Sequence, residues 1–351
     1  SLRKRLLVKP PSGALVPSQH FGVVLYEGDG SSSHSITGLN FTPDFVWIKG
    51  RTNTASHQLF DSTRGVTKGL NSDSNTAEFT NTGMLTSFDT GGFSLGNHGS
   101  VNGSGVDYVA WCWKSNGGTT TSVSGTNITS ATQQVNTDAD FSITQFTEGS
   151  SGTSSVPHGL SGSPDMYIVK RTGGTQDWYV WHNGLSAGNS YIILNSSAAQ
   201  GSNNNMWTQV DSTNINLGPW NTEGGGTKII YAFKSIDGFS KFGSYEGNGT
   251  TEGPMVETGF EPAFIIIKDV DGADNWALVD NKRATTNPRQ TWLRANLDNA
   301  EFSNTVDSIN FYSNGFQIAG GTSVSNFLNE SGHTFIYMAF AADPDTEAPT
   351  L

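Results

Sequence analysis

One cysteine in 351 residues rules out any disulfide within the chain. Cys112 sits in an apolar run at the place held by Ala232 and Ala339 in related runs, which marks it as a small core residue rather than a nucleophile. Small secreted domains commonly lean on disulfides, and this chain does not. Charge is also scarce: charged residues are 14% and the net charge is −12, a balance opposed to nucleic-acid binding, which needs concentrated Lys and Arg. No window carries a convincing amphipathic helix, no apolar run is long enough for a membrane span, and no signal peptide is expected. The seven histidines show neither H-x-H nor H-E-x-x-H spacing, so no metal and no cofactor is expected. What fills the chain instead is Gly, Ser, Thr and Asn, with 11% aromatics to supply core volume.

Three copies of one phrase organise the sequence. Phe41-Thr42-Pro43-Asp44-Phe45-Val46-Trp47-Ile48-Lys49 returns as Gly162-Ser163-Pro164-Asp165-Met166-Tyr167-Ile168-Val169-Lys170 and as Phe260-Glu261-Pro262-Ala263-Phe264-Ile265-Ile266-Ile267-Lys268. Proline, with fixed φ and no N–H, suits the first residue of a strand, and the β-branched and aromatic residues after it favour a pleated, buried surface. Turn signals precede each copy: Tyr26-Glu27-Gly28-Asp29-Gly30, the looser Thr147-Glu148-Gly149-Ser150-Ser151, and Tyr245-Glu246-Gly247-Asn248-Gly249. Each unit closes alike, on Val109-Ala110-Trp111-Cys112-Trp113-Lys114, Ile229-Ile230-Tyr231-Ala232-Phe233-Lys234 and Ile336-Tyr337-Met338-Ala339-Phe340-Ala341. The pattern predicts an all-β protein: an N-terminal basic, proline-containing arm over 1–20, antiparallel β-sandwich or jelly-roll repeats over 21–117, 118–235 and 236–343, and a tail or linker over 344–351. In the second unit, Ile128, Val135 and Phe141 predict an additional lead-in strand.

The charge is uneven along the chain. Arg3, Lys4, Arg5 and Lys9 precede the first acid, Glu27, so a basic arm is attached to an acidic body. That arrangement suggests docking onto something negative, such as a neighbouring copy; a solvated tail is the plainer reading.

No motif for catalysis stands up. Gly184-Leu185-Ser186-Ala187-Gly188 matches a nucleophile elbow, but that motif needs a strand–turn–helix, and here it lies in a Gly/Ser-rich loop beside His182. Asp269-Val270-Asp271-Gly272-Ala273-Asp274 resembles part of a calcium loop without the Glu that completes one, so a hairpin turn is preferred. Glu27, Glu148 and Glu246 recur once per unit and read as exposed turn acids; a glycosidase needs a carboxylate pair. Trp178 and Trp276 occupy matching positions where the first unit has His57. They are candidate sugar-stacking residues, with core packing as the competing reading.

The recurring phrases, with the lead-in Asn127-Ile128-Thr129-Ser130 to Phe141-Ser142-Ile143, resemble a repeated domain of virion proteins of marine bacteriophages, especially those of cyanobacteria. The likeness covers nearly all of 21–341. It implies lectin-like sandwiches of the concanavalin or jelly-roll kind in a tail fibre, appendage or capsid-surface protein, with no catalytic residues to carry over. The expected function is therefore a non-enzymatic virion structural protein at the particle surface. Its partners would be other virion proteins and copies of itself, with a possible host-surface glycan; neither nucleic acid nor membrane insertion is expected. A carbohydrate-binding adhesin of a bacterial surface is the alternative, and a glycan hydrolase a third.

Overall fold

The computed structural model describes residues 15–343 except 151, 220–225, 305 and 321–325. The protein is all-β and its sheets are antiparallel. The only helices among the described residues are two four-residue α-helices, Gly99–Asn102 and Asn326–Asn329, and the 3-10 turn Pro17–Gln19. No described helix is long and apolar enough to cross a membrane.

Each sequence unit forms one larger and one smaller sheet, and the first adds a two-stranded sheet of Lys68–Gly69 and Phe79–Thr80. In the first, Phe21–Glu27, Asp107–Trp113, Phe45–Gly50 and Gln58–Asp61 lie side by side in that order, with His34–Thr37, Gly92–Leu95 and Leu85–Asp89 as the smaller sheet. The third repeats this plan with Ser240–Glu246, Thr334–Ala341, Pro262–Asp269 and Ala277–Asp280, extended by two further strands. In the second, the lead-in forms the strand Ile128–Asn136, which pairs along Phe141–Glu148 and helps to widen that sheet to eight strands. The three phrases are the strands Phe45–Gly50, Met166–Arg171 and Pro262–Asp269, each paired with its unit's closing strand.

Alternate residues on these strands have different destinations. Val46 and Ile48 face a core private to the first unit, as Tyr167 and Val169 do in the second and Ile265 and Ile267 in the third. Phe45 and Trp47, with Met166 and Ile168 and with Phe264 and Ile266, enter a single cluster built from all three units. Both faces of each large sheet are thus buried, which is why the phrases read as unbroken apolar runs. At the centre Phe45 stacks on Tyr231 of the second unit at 4.5 Å, and Phe21 on Phe340 of the third at 4.9 Å. Such aromatic pairs add about 0.5–1.5 kcal/mol each beyond their buried area.

The aspartate of the phrase holds the start of the next unit. Asp44, fully buried, accepts from the backbone N–H groups of Ser115, Gly117 and Gly118 at 2.6–2.9 Å and from Ser62 Oγ at 2.6 Å. Asp165 accepts from Ser235 N at 2.7 Å. Ala263, at the third position, faces no such connector among the described residues. There the two ends of the body meet instead, with Ser18 N donating to Asp343 Oδ1 at 2.7 Å.

Residues 15–20, assigned to the arm by sequence, pack on the body. Leu15 lies against the shared cluster, Pro17 is buried, and His20 is hydrogen-bonded to Asn136 Nδ2. Their apolar and ring atoms have a surface to cover, whereas Arg3, Lys4, Arg5 and Lys9 lie outside the described residues. Expressed alone, residues 21–117 would expose Phe21, Phe45, Trp47, Trp111 and Trp113 to water; the expected result is an aggregating or dye-binding species, measured by light scattering and ANS fluorescence beside the full chain. A soluble, cooperatively folding fragment would contradict the shared core.

Candidate functional site

Deeply buried polar side chains lie at the seams between units, and the repeat places one at the same position three times over. His57, Trp178 and Trp276 stand just before the equivalent strands Gln58–Asp61, Tyr179–His182 and Ala277–Asp280, and each engages a backbone carbonyl of another unit. His57 Nε2 lies 3.0 Å from Arg294 O, Trp178 Nε1 donates to Asn71 O and Ser74 O at 2.8 and 3.1 Å, and Trp276 Nε1 donates to Ile193 O at 3.0 Å. The first unit thereby bonds to the third, the second to the first and the third to the second, a closed ring. Trp178 and Trp276, candidates for sugar stacking, are 0% and 1% exposed and have no face to offer a ligand. The packing of the units explains the correction: both rings belong to the shared cluster.

A second set closes the same ring four residues on. Tyr231 Oη donates to Asp61 Oδ2 at 2.7 Å, and Trp111 Nε1 to Asp280 Oδ2 at 3.2 Å. Each carboxylate also holds a buried arginine of its own unit, Asp61 with Arg64 at 2.5 Å and Asp280 with Arg283 at 2.6 Å. At the remaining seam the closing strand presents Met338, whose thioether has no proton to give. The residue facing it is His182, whose Nε2 lies 3.1 Å from Tyr337 O. An aspartate there would meet a carbonyl without a donor; the imidazole supplies one.

Both seam histidines, His57 and His182, are held neutral. His57 Nδ1 accepts from Trp47 Nε1 at 2.8 Å and His182 Nδ1 from Gly184 N at 2.9 Å, so in each ring Nε2 carries the proton. A second proton on Nδ1 would face a donor. Burial pushes His57 down to about 3, with Lys49 adding to the effect, and His182 down to about 4.

The cations that end the three phrases, Lys49, Lys170 and Lys268, are 0% exposed. Lys49 Nζ donates to Gly50 O at 2.7 Å, Lys170 Nζ to Arg171 O at 2.7 Å, and Lys268 Nζ to Asp269 O and Gly272 O. Burial lowers all three to about 8. They tie down the turns after the phrase strands, a role whose one sequence signal is the threefold recurrence of the lysine.

Other sequence candidates are dispersed. Ser186 Oγ pairs with Ser190 Oγ at 3.1 Å, and both nitrogens of His182 are engaged elsewhere, so the nucleophile-elbow look-alike has no base. Glu27 and Glu246 are exposed, whereas Glu148 is 1% exposed and paired with Lys228 at 2.7 Å; a cation on the neighbouring strand, invisible to local sequence, draws it inside. Cys112 is buried with Ala232 and Ala339, and burial pushes its thiol up. Partly exposed aromatics occur on the second unit's opposite sheet face, where Tyr179, Trp181 and Tyr191 border its private core and Tyr179 meets Tyr191 edge-to-face at 5.6 Å. A cavity of about 270 Å³ lies between Gly22 and Leu39 of the first unit and Ala263 and Lys282 of the third. This is below the usual range of small-molecule pockets, roughly 300–1,000 Å³.

The model of a protein family described as Domain of unknown function (DUF7483) matches residues 16–344. The chain belongs to this family. The DUF7483 match runs through all three units as one span, the same span that shares a core. No curated protein and no solved structure matches the chain.

Two predictions follow the seam chemistry. Asp61→Ala leaves the Arg64 guanidinium buried beside Glu78 alone and is expected to cost about 3–5 kcal/mol, against about 1 kcal/mol for Tyr231→Phe, by urea unfolding. Each neutral histidine has a native pKa below its unfolded value of 6.5, so the unfolded chain binds the extra proton first. Stability from each is complete above pH 6.5 and falls by about 1.4 kcal/mol per pH unit as pH drops toward the native value. His182→Gln keeps a donor to Tyr337 O without titrating; between pH 6 and 4.5 its stability should fall less steeply than wild type by that amount, and identical slopes would exclude the assignment.

Proposed function

We propose that the protein is a non-enzymatic structural component of a phage particle surface, in a tail fibre, an appendage or a capsid-surface layer. In this reading the three units are lectin-like sandwiches in tandem, and they face outward among other virion proteins and copies of the same chain. One observation carries the proposal: the buried histidines, aspartates and indoles of the repeat are spent on cross-unit hydrogen bonds that lock three units into one body. A scaffold of this kind keeps its core rigid and leaves polar, Gly/Ser/Asn-rich loops to meet the surroundings. The net charge of −12 keeps copies soluble when crowded. The resemblance of the repeated phrases to virion domains supplies the setting.

A second reading, a carbohydrate-binding adhesin, is favoured by the partly exposed Tyr179, Trp181 and Tyr191 on one sheet face, since aromatic faces stack on the C–H surfaces of sugars. Repeated display would raise avidity for a repeating glycan even from a weak site.

Under the first reading, Arg3, Lys4, Arg5 and Lys9 dock the body to its neighbours. Because residues 15–20 pack on the body, the informative truncation removes residues 1–14 only. The expected outcome is an unchanged melting transition with loss of incorporation into particles, counted by quantitative immunoblot of purified virions. Full incorporation of the truncated chain would refute the arm as anchor and turn attention to glycan binding by Trp181→Ala against wild type.

A further inference from the structure

We propose that the third unit carries a binding site for a divalent cation of the zinc type, formed by Asp269, Glu330 and His333. The side chains come from two segments that the fold brings together: the turn after the Pro262–Asp269 strand, and the loop that leads into the closing strand Thr334–Ala341. His333 Nδ1 lies 2.8 Å from Asp269 Oδ2 and 3.5 Å from Glu330 Oε2, and the three potential ligand atoms lie within 4.8 Å of one another. Ligands held at about 2.0–2.2 Å around one ion are separated by roughly 3–3.5 Å, so the group needs only small adjustment to close on a cation.

The donor set selects the metal. An imidazole nitrogen with two carboxylates suits zinc and similar first-row ions, whereas calcium takes six or more oxygens. Asp269 is buried and its orientation is fixed, because its other oxygen accepts from Asp271 N at 2.8 Å and Gly272 N at 2.9 Å. Glu330 and His333 are partly exposed, which leaves the outer side open to water ligands.

There is also space beside the donors. A Cβ on Gly272 would stand 2.5 Å from Asp269 Oδ2 and 3.3 Å from Asp274 Oδ2, so the glycine leaves open a cradle between two carboxylates that any side chain would fill. The corresponding turns of the other units, Gly50-Arg51-Thr52-Asn53 and Arg171-Thr172-Gly173-Gly174, contain no carboxylate and share only the lysine that ties the turn. Asp269 Oδ1 helps to hold the turn in the third unit, whereas its Oδ2 faces His333, which also lies beside Glu330.

The test is isothermal titration of the full chain with Zn²⁺, alone and in a hundredfold excess of Ca²⁺. The expected result is one saturable equivalent that Ca²⁺ does not displace, weakened at least tenfold by His333→Ala and by Glu330→Gln and also weakened by Gly272→Ala. Circular dichroism checks that each variant is folded; Glu330→Gln, a near-isosteric change at a partly exposed position, serves if His333→Ala is not. Absence of a saturable equivalent, displacement by Ca²⁺, or binding that both ligand variants leave unchanged would overturn the proposal.

Discussion

Burial of each large sheet on both faces is the constraint from which the rest of the structure follows. One face meets the unit's own small sheet and the other meets the large sheets of the two other units, so no unit completes its core alone. The backbone polar groups within the sheets are satisfied by strand pairing. At the seams, where one unit meets another's loops, carbonyls that already accept within their own unit, such as Arg294 O from Leu297 N, take a further hydrogen bond from a side chain of the neighbouring unit. His57, Trp178 and Trp276 supply such bonds at one level; at the next His182 does so, while Asp61 and Asp280 accept from the side chains of Tyr231 and Trp111.

The exceptions to the repeat obey the same rule. Where the facing residue is Tyr231 or Trp111, a donor, the seam position is an aspartate; where it is Met338, the position is His182. Where the chain must start its next unit, Asp44 and Asp165 pin the connector, and where the two ends of the body meet, Ala263 stands in their place. Divergence among the units therefore tracks what each residue touches across a seam and does not signal relaxed packing. Burying the seam groups is tolerable because they are matched: Asp61 and Asp280 each with an arginine, the neutral imidazoles of His57 and His182 with one donor and one acceptor, the phrase lysines with carbonyls.

For function, this economy directs attention outward. The groups that look most chemical in the sequence, the repeated lysines and the tryptophans Trp178 and Trp276, are occupied in holding the body together. What distinguishes the units lies at their loops and sheet faces: the aromatics of the second unit, and the carboxylates and imidazole of the third. A DUF7483 body of this kind is a common frame on which each unit carries its own surface chemistry.

The sequence by itself determined the all-β class, the three strand phrases, the closing strands and the lead-in strand Ile128–Asn136, because proline, β-branched residues and turn signals act locally and leave a readable period. It also marked Cys112 as core through its alignment with two alanines. Tertiary structure alone decided which face of each strand meets which neighbour. Thus Trp178 was legible as an aromatic beside a strand but not as a buried seam donor, since the carbonyls it reaches, Asn71 O and Ser74 O, lie in a loop more than a hundred residues away. For the same reason Glu148 was readable as a turn acid but not as the partner of Lys228, and the calcium-like acids after Lys268 showed no relation to Glu330 and His333. Local pattern sets strand and turn; partners across a seam depend on distances that only the closed ring creates.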